Sequence, residues 1–150
     1  MQKVLEEYKD AQAARTAMEE AVKSADNELK EMYDAIVALN KEIDELNEKA
    51  ENTALLDDAR EKFKKEAEDK TEVLHEKEGE FMRFRQDVSK KFSDKQQKDM
   101  QEQDKAIKEA AAEIAKSKKA DIILNKFPST LYIDDSLDIT QLLIDRLNSK

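Results

Sequence analysis

The sequence predicts a mainly α protein: a long antiparallel coiled-coil helical hairpin, followed by a small C-terminal β-hairpin and a short helix that form an oligomerisation body. Three observations carry this reading. One glycine and one proline in 150 residues leave few tight turns, so the elements must be few and long. Charged residues make up 42% of the chain and aromatics 5%, the profile of long helices rather than of a layered globule. After about residue 118 the hydrophobic period shortens from helical to strand-like.

The first arm, residues 3–50, is marked by Val4, Tyr8, Ala11, Arg15, Met18, Val22, Ala25, Leu29, Met32, Ile36, Leu39, Ile43, Leu46 and Ala50. Steps of four and three alternate without a slip, and Arg15 is the one polar member. Such a heptad marks a helix packed on a partner along one narrow seam. At ~1.5 Å per residue it spans roughly 70 Å, too long for a globule of this size, so it must project. The pattern breaks at residues 51–54, where Asn52 or Thr53 can cap a second helix. A short connection makes the arms antiparallel neighbours.

The second arm, residues 55–118, carries Leu56, Phe63, Leu74, Phe81, Phe84, Val88, Phe92, Met100, Ile107 and Ile114. Lys70, Lys77, Gln96 and Gln103 interrupt it, and part of its spacing drifts toward elevens, which loosens the supercoil. Gly79 is a soft spot costing ~1 kcal/mol against alanine. Counting back from Asn52 pairs Val4 with Gln101. That register leaves Ile107, Ala110 and Ile114 on an overhang, to be covered by another subunit or by a further N-terminal piece.

Residues 119–150 form the predicted base. Residues 120–124 and 130–133 read as two short strands around Pro128. Thr140 reads as the cap of a short helix carrying Leu143, Ile144 and Leu147, with Ile139 stapled to Ile144. So little structure has no core of its own, which predicts folding by association.

The same composition excludes function classes. A net charge of −9 speaks against nucleic acid and anionic lipid as partners. No apolar run approaches the ~18 residues of a membrane span. Met1, Gln2 and Lys3 lead straight into a helical pattern rather than a signal peptide, which suits a cytosolic chain, a mature form or a truncated one. A single glycine rules out phosphate-cradling loops and nucleophile elbows. His75, the lone histidine, reads as solvated, and the carboxylate pairs read as the wet face of a coiled coil. No catalytic residue, metal ligand or cofactor site is expected, so the chain is not an enzyme.

The tail resembles a known family. Ala120, Asp121, Ile122, Ile123 and Leu124, then Leu131, Tyr132, Ile133, Asp134 and Asp135, then Leu137, Asp138, Ile139 and Thr140, look like the closing motif of the Skp/OmpH periplasmic chaperones. The opening Met1, Gln2, Lys3, Val4 and Leu5 resembles the segment after that family's first strand; the strand itself and a signal peptide are missing here. The resemblance implies a periplasmic homotrimer whose helical tentacles enclose a cavity and hold unfolded outer-membrane β-barrel proteins without ATP. The family's best-known member has basic tentacle tips. Here Asp44, Glu45, Glu48, Glu51, Asp57, Asp58 and Glu61 face Lys49 and Arg60, so lipid contact through basic tips does not carry over.

On that reading Met18, Met32, Phe81, Met82, Phe84 and Phe92 are the candidate client-binding residues, since flexible methionine and aromatic surfaces suit a binder of many sequences. Phe81, Phe84 and Phe92, with Val88, also serve the plainer purpose of filling the seam. Ile107, Ile114, Ile122, Leu124, Leu131, Ile133, Leu143 and Leu147 are assigned to the oligomer body. The alternative is a scaffolding coiled coil with one defined partner. A prefoldin-like arrangement is disfavoured, because here the strand-like runs follow both helices instead of lying between them.

Overall fold

The computed structural model describes residues 1–125 and 132–149. In chain order its elements are α1 (Gln2–Glu7), α2 (Lys9–Glu51), α3 (Asp57–Lys118), a 3-10 turn (Asp135–Leu137) and α4 (Thr140–Asn148). Two compact units divide the chain, Ala21–Lys91 and Met1–Glu20 with Phe92–Lys150.

The Ala21–Lys91 unit is a helical hairpin. Ile36, Ile43 and Leu74 form its core cluster, with Leu39 and Phe81 packed against them. Three contacts fix the pairing of its helices. Lys70 Nζ donates to Glu42 Oε2 at 2.7 Å, Tyr33 and Phe81 have ring centroids 6.5 Å apart, and Lys49 Nζ lies 5.7 Å from the Phe63 ring centroid. These pairs are symmetric about Leu56, not Asn52, which displaces the sequence-derived register by about one heptad. The turn is the cause. Asn52 Oδ1 accepts from Ala54 N–H at 2.9 Å and Asn52 O accepts from Leu55 N–H at 3.1 Å, so residues 53–56 stay in the loop and α3 starts at Asp57. A one-heptad slip keeps every seam residue on the seam, which is why periodicity alone could not detect it.

In the other unit the same correction brings Val4, Tyr8 and Ala11 together with Ile107, Ala110 and Ile114. Leu143, Ile144 and Leu147 of α4 complete that core. The expected overhang therefore needs no second subunit to cover it. At nine residues α4 is too short to hold as an isolated helix. It is held by burial of those three side chains, about 2 kcal/mol each, and by Arg146 Nε on Glu113 Oε2 at 2.6 Å. Thr140 is the first residue of α4 and not its cap: the N-cap is Ile139, whose side chain makes no capping bond, and just before it Asp138 Oδ1 accepts from Thr140 N–H at 2.9 Å.

The expected C-terminal β-hairpin is overturned. Among the described residues there is no strand. Residues 120–125 leave α3 as irregular chain, with Ile122 and Leu124 72% and 82% exposed. Without a paired ladder an extended segment has no partners for its backbone groups, and two short strands are marginal at best. Thr130 and Leu131 of the second run lie outside the described residues. Tyr132 and Ile133 carry no strand, and Asp134 then turns the chain by accepting from Ser136 N–H at 2.9 Å and Ser136 Oγ at 2.6 Å.

Four seam assignments also change: Val22 is exposed with Ala21 half-buried beside it, and Leu56 is 82% exposed in the turn with Leu55 half-buried. Arg15 points outward and pairs with Glu19 at 3.0 Å, leaving Ala14 half-buried in its place. Met100 is 64% exposed, and partly buried Lys95 and Asp99 take the inward position, joined at 3.0 Å. The first helix is itself interrupted. Tyr8 adopts an extended conformation (φ −76°, ψ 117°) between α1 and α2. The amide of Asn148 fills the gap, with Oδ1 accepting from Lys9 N–H at 2.8 Å and Nδ2 donating to Glu7 O at 2.9 Å.

Helix α3 ends in a Schellman motif. Ala120 N–H donates to Ala115 O at 3.0 Å and Lys119 N–H to Lys116 O at 3.4 Å, with Lys119 at φ 56°. That left-handed position favours glycine. Lys119→Gly should therefore raise unfolding free energy by about 1 kcal/mol in denaturant titration. Gly79 lies within α3, and an added Cβ would meet the Arg83 guanidinium at an ordinary 3.8 Å. Gly79→Ala should add about 0.5–1 kcal/mol in the same measurement.

Burial pushes the Tyr8 phenol above its ordinary value, helped by its hydrogen bond to Asp10 and that carboxylate's charge. A pKa raised on folding gives stability that is whole below the unfolded value, near pH 10.0, and is lost as pH climbs through the folded one. Lys70, raised by its hydrogen bond and charge attraction to Glu42, acts in the same direction. Unfolding midpoints should fall as pH rises above about 10, and less steeply for Tyr8→Phe.

Candidate functional site

Helices paired along a narrow seam leave most of their surface to solvent, so the surfaces available for binding follow from which apolar side chains the seam fails to absorb. Of the six candidate residues, Met18, Met32, Phe81, Phe84 and Phe92 are half-buried on the seam. Met82 is 60% exposed. Within the Ala21–Lys91 unit the structure brings Phe81 onto Tyr33, with their ring planes tilted by 49°.

Tyr33 and Val37 are the residues the sequence reading missed. Both are more exposed than half-buried seam residues such as Met32, at 56% and 48%. A signal for them existed. Each stands one position beyond a seam residue, Met32 and Ile36, and they are four residues apart, so they share one face of α2 just beside the seam. Val73 on α3 is likewise exposed.

This unit also carries most of the excess negative charge, twenty Asp and Glu against fourteen Lys and Arg, concentrated in its middle. Residues 26–80 contain nineteen Asp and Glu against nine Lys and Arg, an excess of ten carboxylates, whereas the whole chain has an excess of nine. At the turn end, Arg60 is engaged by Asp57 and Lys49 lies over Phe63. His75 is exposed, its Nδ1 3.3 Å from Glu78 Oε2. Among the described residues no group of His, Cys, Asp and Glu is placed to hold a metal ion.

In the other unit two apolar recesses stand out. One, of about 390 Å³, is lined by Met1 and Val4 of the N-terminus, Ile107 and Ala111 of α3, Ile123, Leu124, Leu137 and Leu143. Beside it the Met1 amino group donates to Asn125 Oδ1 at 3.2 Å. The second, of about 620 Å³, is an open groove between Leu5, Ala11, Ala14 and Met18 on one side and Gln96, Met100 and Gln103 on the other. It exists because small alanines face polar side chains there, and neither fills the space.

The residues assigned to an oligomer body divide into two groups. Ile107, Ile114, Leu143 and Leu147 are buried within the chain's own core. Ile122 and Leu124 are exposed, Ile133 is half-buried, and Leu131 lies outside the described residues. Leu137 and Tyr132, at 69% and 80% exposure, add to the exposed apolar surface of this unit.

Among the described residues no helix is long and apolar enough to cross a membrane. No curated protein and no solved structure gives a match to the chain. Residues 1–147 match the family model described as outer membrane protein (OmpH-like). That match covers nearly the entire sequence, including the tail whose residues suggested the resemblance. The chain therefore belongs to the OmpH-like family, a family of periplasmic chaperones.

Proposed function

We propose that the protein is an ATP-independent holding chaperone of the periplasm that keeps unfolded outer-membrane β-barrel proteins from aggregating. The observation that carries this reading is the family match over residues 1–147. The surface is consistent with it: apolar side chains stand exposed beside filled seams, giving many weak contacts in place of one deep pocket. Clients are held first on Met82, Tyr33 and Val37, with the half-buried edges of Met18, Met32, Phe81, Phe84 and Phe92 contributing as the client spreads. Several weak contacts engaged together bind tightly through effective concentration, and the client leaves when a stronger destination competes.

The working unit in this proposal is a homotrimer. Ile122 and Leu124 join sister copies, while Ile107, Ile114, Leu143 and Leu147 hold the base rigid beneath them. The acidic surface of residues 26–80 favours basic client segments, so part of the affinity is lost as salt shortens the screening length to ~8 Å near 0.15 M.

An unfolded β-barrel protein diluted from urea should stay in solution, by light scattering, at one trimer per client. Aggregation unchanged at that ratio would remove the chaperone reading. Met82→Ser with Val37→Ser should weaken client binding roughly tenfold by titration calorimetry, equivalent to about 1.4 kcal/mol. Both side chains are largely exposed, so the thermal midpoint should hardly move.

A further inference from the structure

We propose that α1 is a lid on the apolar cavity near the N-terminus, held in place by Asn148, and that it rejoins α2 as one continuous helix when that amide is withdrawn. This goes beyond the chaperone reading and does not depend on it.

No helix-breaking residue explains why the helix breaks at Tyr8. Residues 2–12 contain no glycine and no proline, and Val4, Tyr8 and Ala11 keep the seam spacing straight through the break. Kinks in such sequences arise when a side chain enters the backbone ladder. Here the entering group comes from the far end of the chain. In an unbroken helix Lys9 N–H would donate to Leu5 O, and the carbonyls of Glu6 and Glu7 would accept from Asp10 and Ala11. In the structure the single amide of Asn148 takes two of these groups, Lys9 N–H at 2.8 Å and Glu7 O at 2.9 Å. Gln12 Nε2 takes the third, Glu6 O, at 2.6 Å.

The broken form thus re-partners three of these six groups, whereas a continuous helix would pair all six, including Leu5 O and the amides of Asp10 and Ala11, and the sequence suits it. What selects the broken form is the docking of α4, whose Leu143, Ile144 and Leu147 sit in the core beside Val4 and Tyr8. The element that moves also closes the cavity. Met1 and Val4 are part of its lining, and the amino group of Met1 is tied to Asn125 Oδ1 across its edge. Straightening α1 onto the axis of α2 carries Met1 away from that wall. The position of α4 thus sets whether the cavity is covered.

The test uses the full chain with Asn148→Ala, and two readouts. The 13Cα shift of Tyr8 reports its backbone conformation, and should move from extended to helical. The chain has no cysteine, so a single Ala111→Cys in the cavity lining gives a clean thiol, whose alkylation by a bulky maleimide should quicken at least tenfold. Asn148→Asp, which retains the acceptor for Lys9 but loses the donor to Glu7, should fall between. Glu113→Gln removes the ion pair with Arg146 while leaving the Asn148 amide and the docked Leu143, Ile144 and Leu147 untouched, and should leave Tyr8 extended. Methyl shifts of Ile144 report whether α4 stays docked. Tyr8 remaining extended in Asn148→Ala, with α4 docked or released, would overturn the proposal.

Discussion

Everything in this molecule rests on a seam only a few side chains wide. Long helices without glycine-rich turns can bury just one stripe each, and the described residues bury no polar or charged residue at all. Burial is spread thinly, residue by residue, along Ile36, Ile43, Leu46, Ala67 and Leu74 in one unit and from Val4 to Ile114 in the other. Exposed i,i+4 ion pairs such as Lys41 with Glu45 and Lys98 with Glu102 add a few tenths of a kcal/mol each to the helices themselves. They do not decide how the helices pair. That choice falls to the turn after Asn52 and to the few contacts that cross the seam.

The thinness of the seam is also what leaves apolar side chains exposed. A globular core would absorb Tyr33, Val37 and Met82, whereas a two-helix seam has no second layer to bury them. The open groove beside Ala14 and Met18 has the same origin, since alanines opposite Gln96 and Gln103 leave volume that neither partner fills. Under the proposed function, incomplete packing of this kind would supply the broad, shallow, adaptable contact that a holder of many clients needs.

Much of the architecture was legible from periodicity. Val4, Tyr8, Ala11, Ala25, Ile36, Ile43 and Leu46 were all read as seam residues and all are buried. What periodicity could not supply was anything non-local. The register slipped by a heptad because the repeat looks the same to itself after seven residues, and the turn residues that settle it follow no repeat. The break at Tyr8 was invisible because its cause sits at Asn148. The strand reading of residues 120–124 failed for a related reason: a β-branched run reports a preference, and a strand also needs a partner. Among the surface residues, Met82 was legible as an apolar residue off the heptad. Tyr33 and Val37 stand one position beyond seam residues, and the heptad marks the seam without saying which flanking apolar residues stay exposed.

The symmetry of the hairpin about Leu56 limits how it can change over evolutionary time. A single inserted codon in either helix would rotate every later residue by about 100° and strand the seam against solvent. Length can be gained or lost only in blocks of about seven residues, and each block in one helix needs its twin in the other. Reach is therefore inherited in discrete paired steps, while the residues around the turn are free to drift in composition, as their acidity here illustrates.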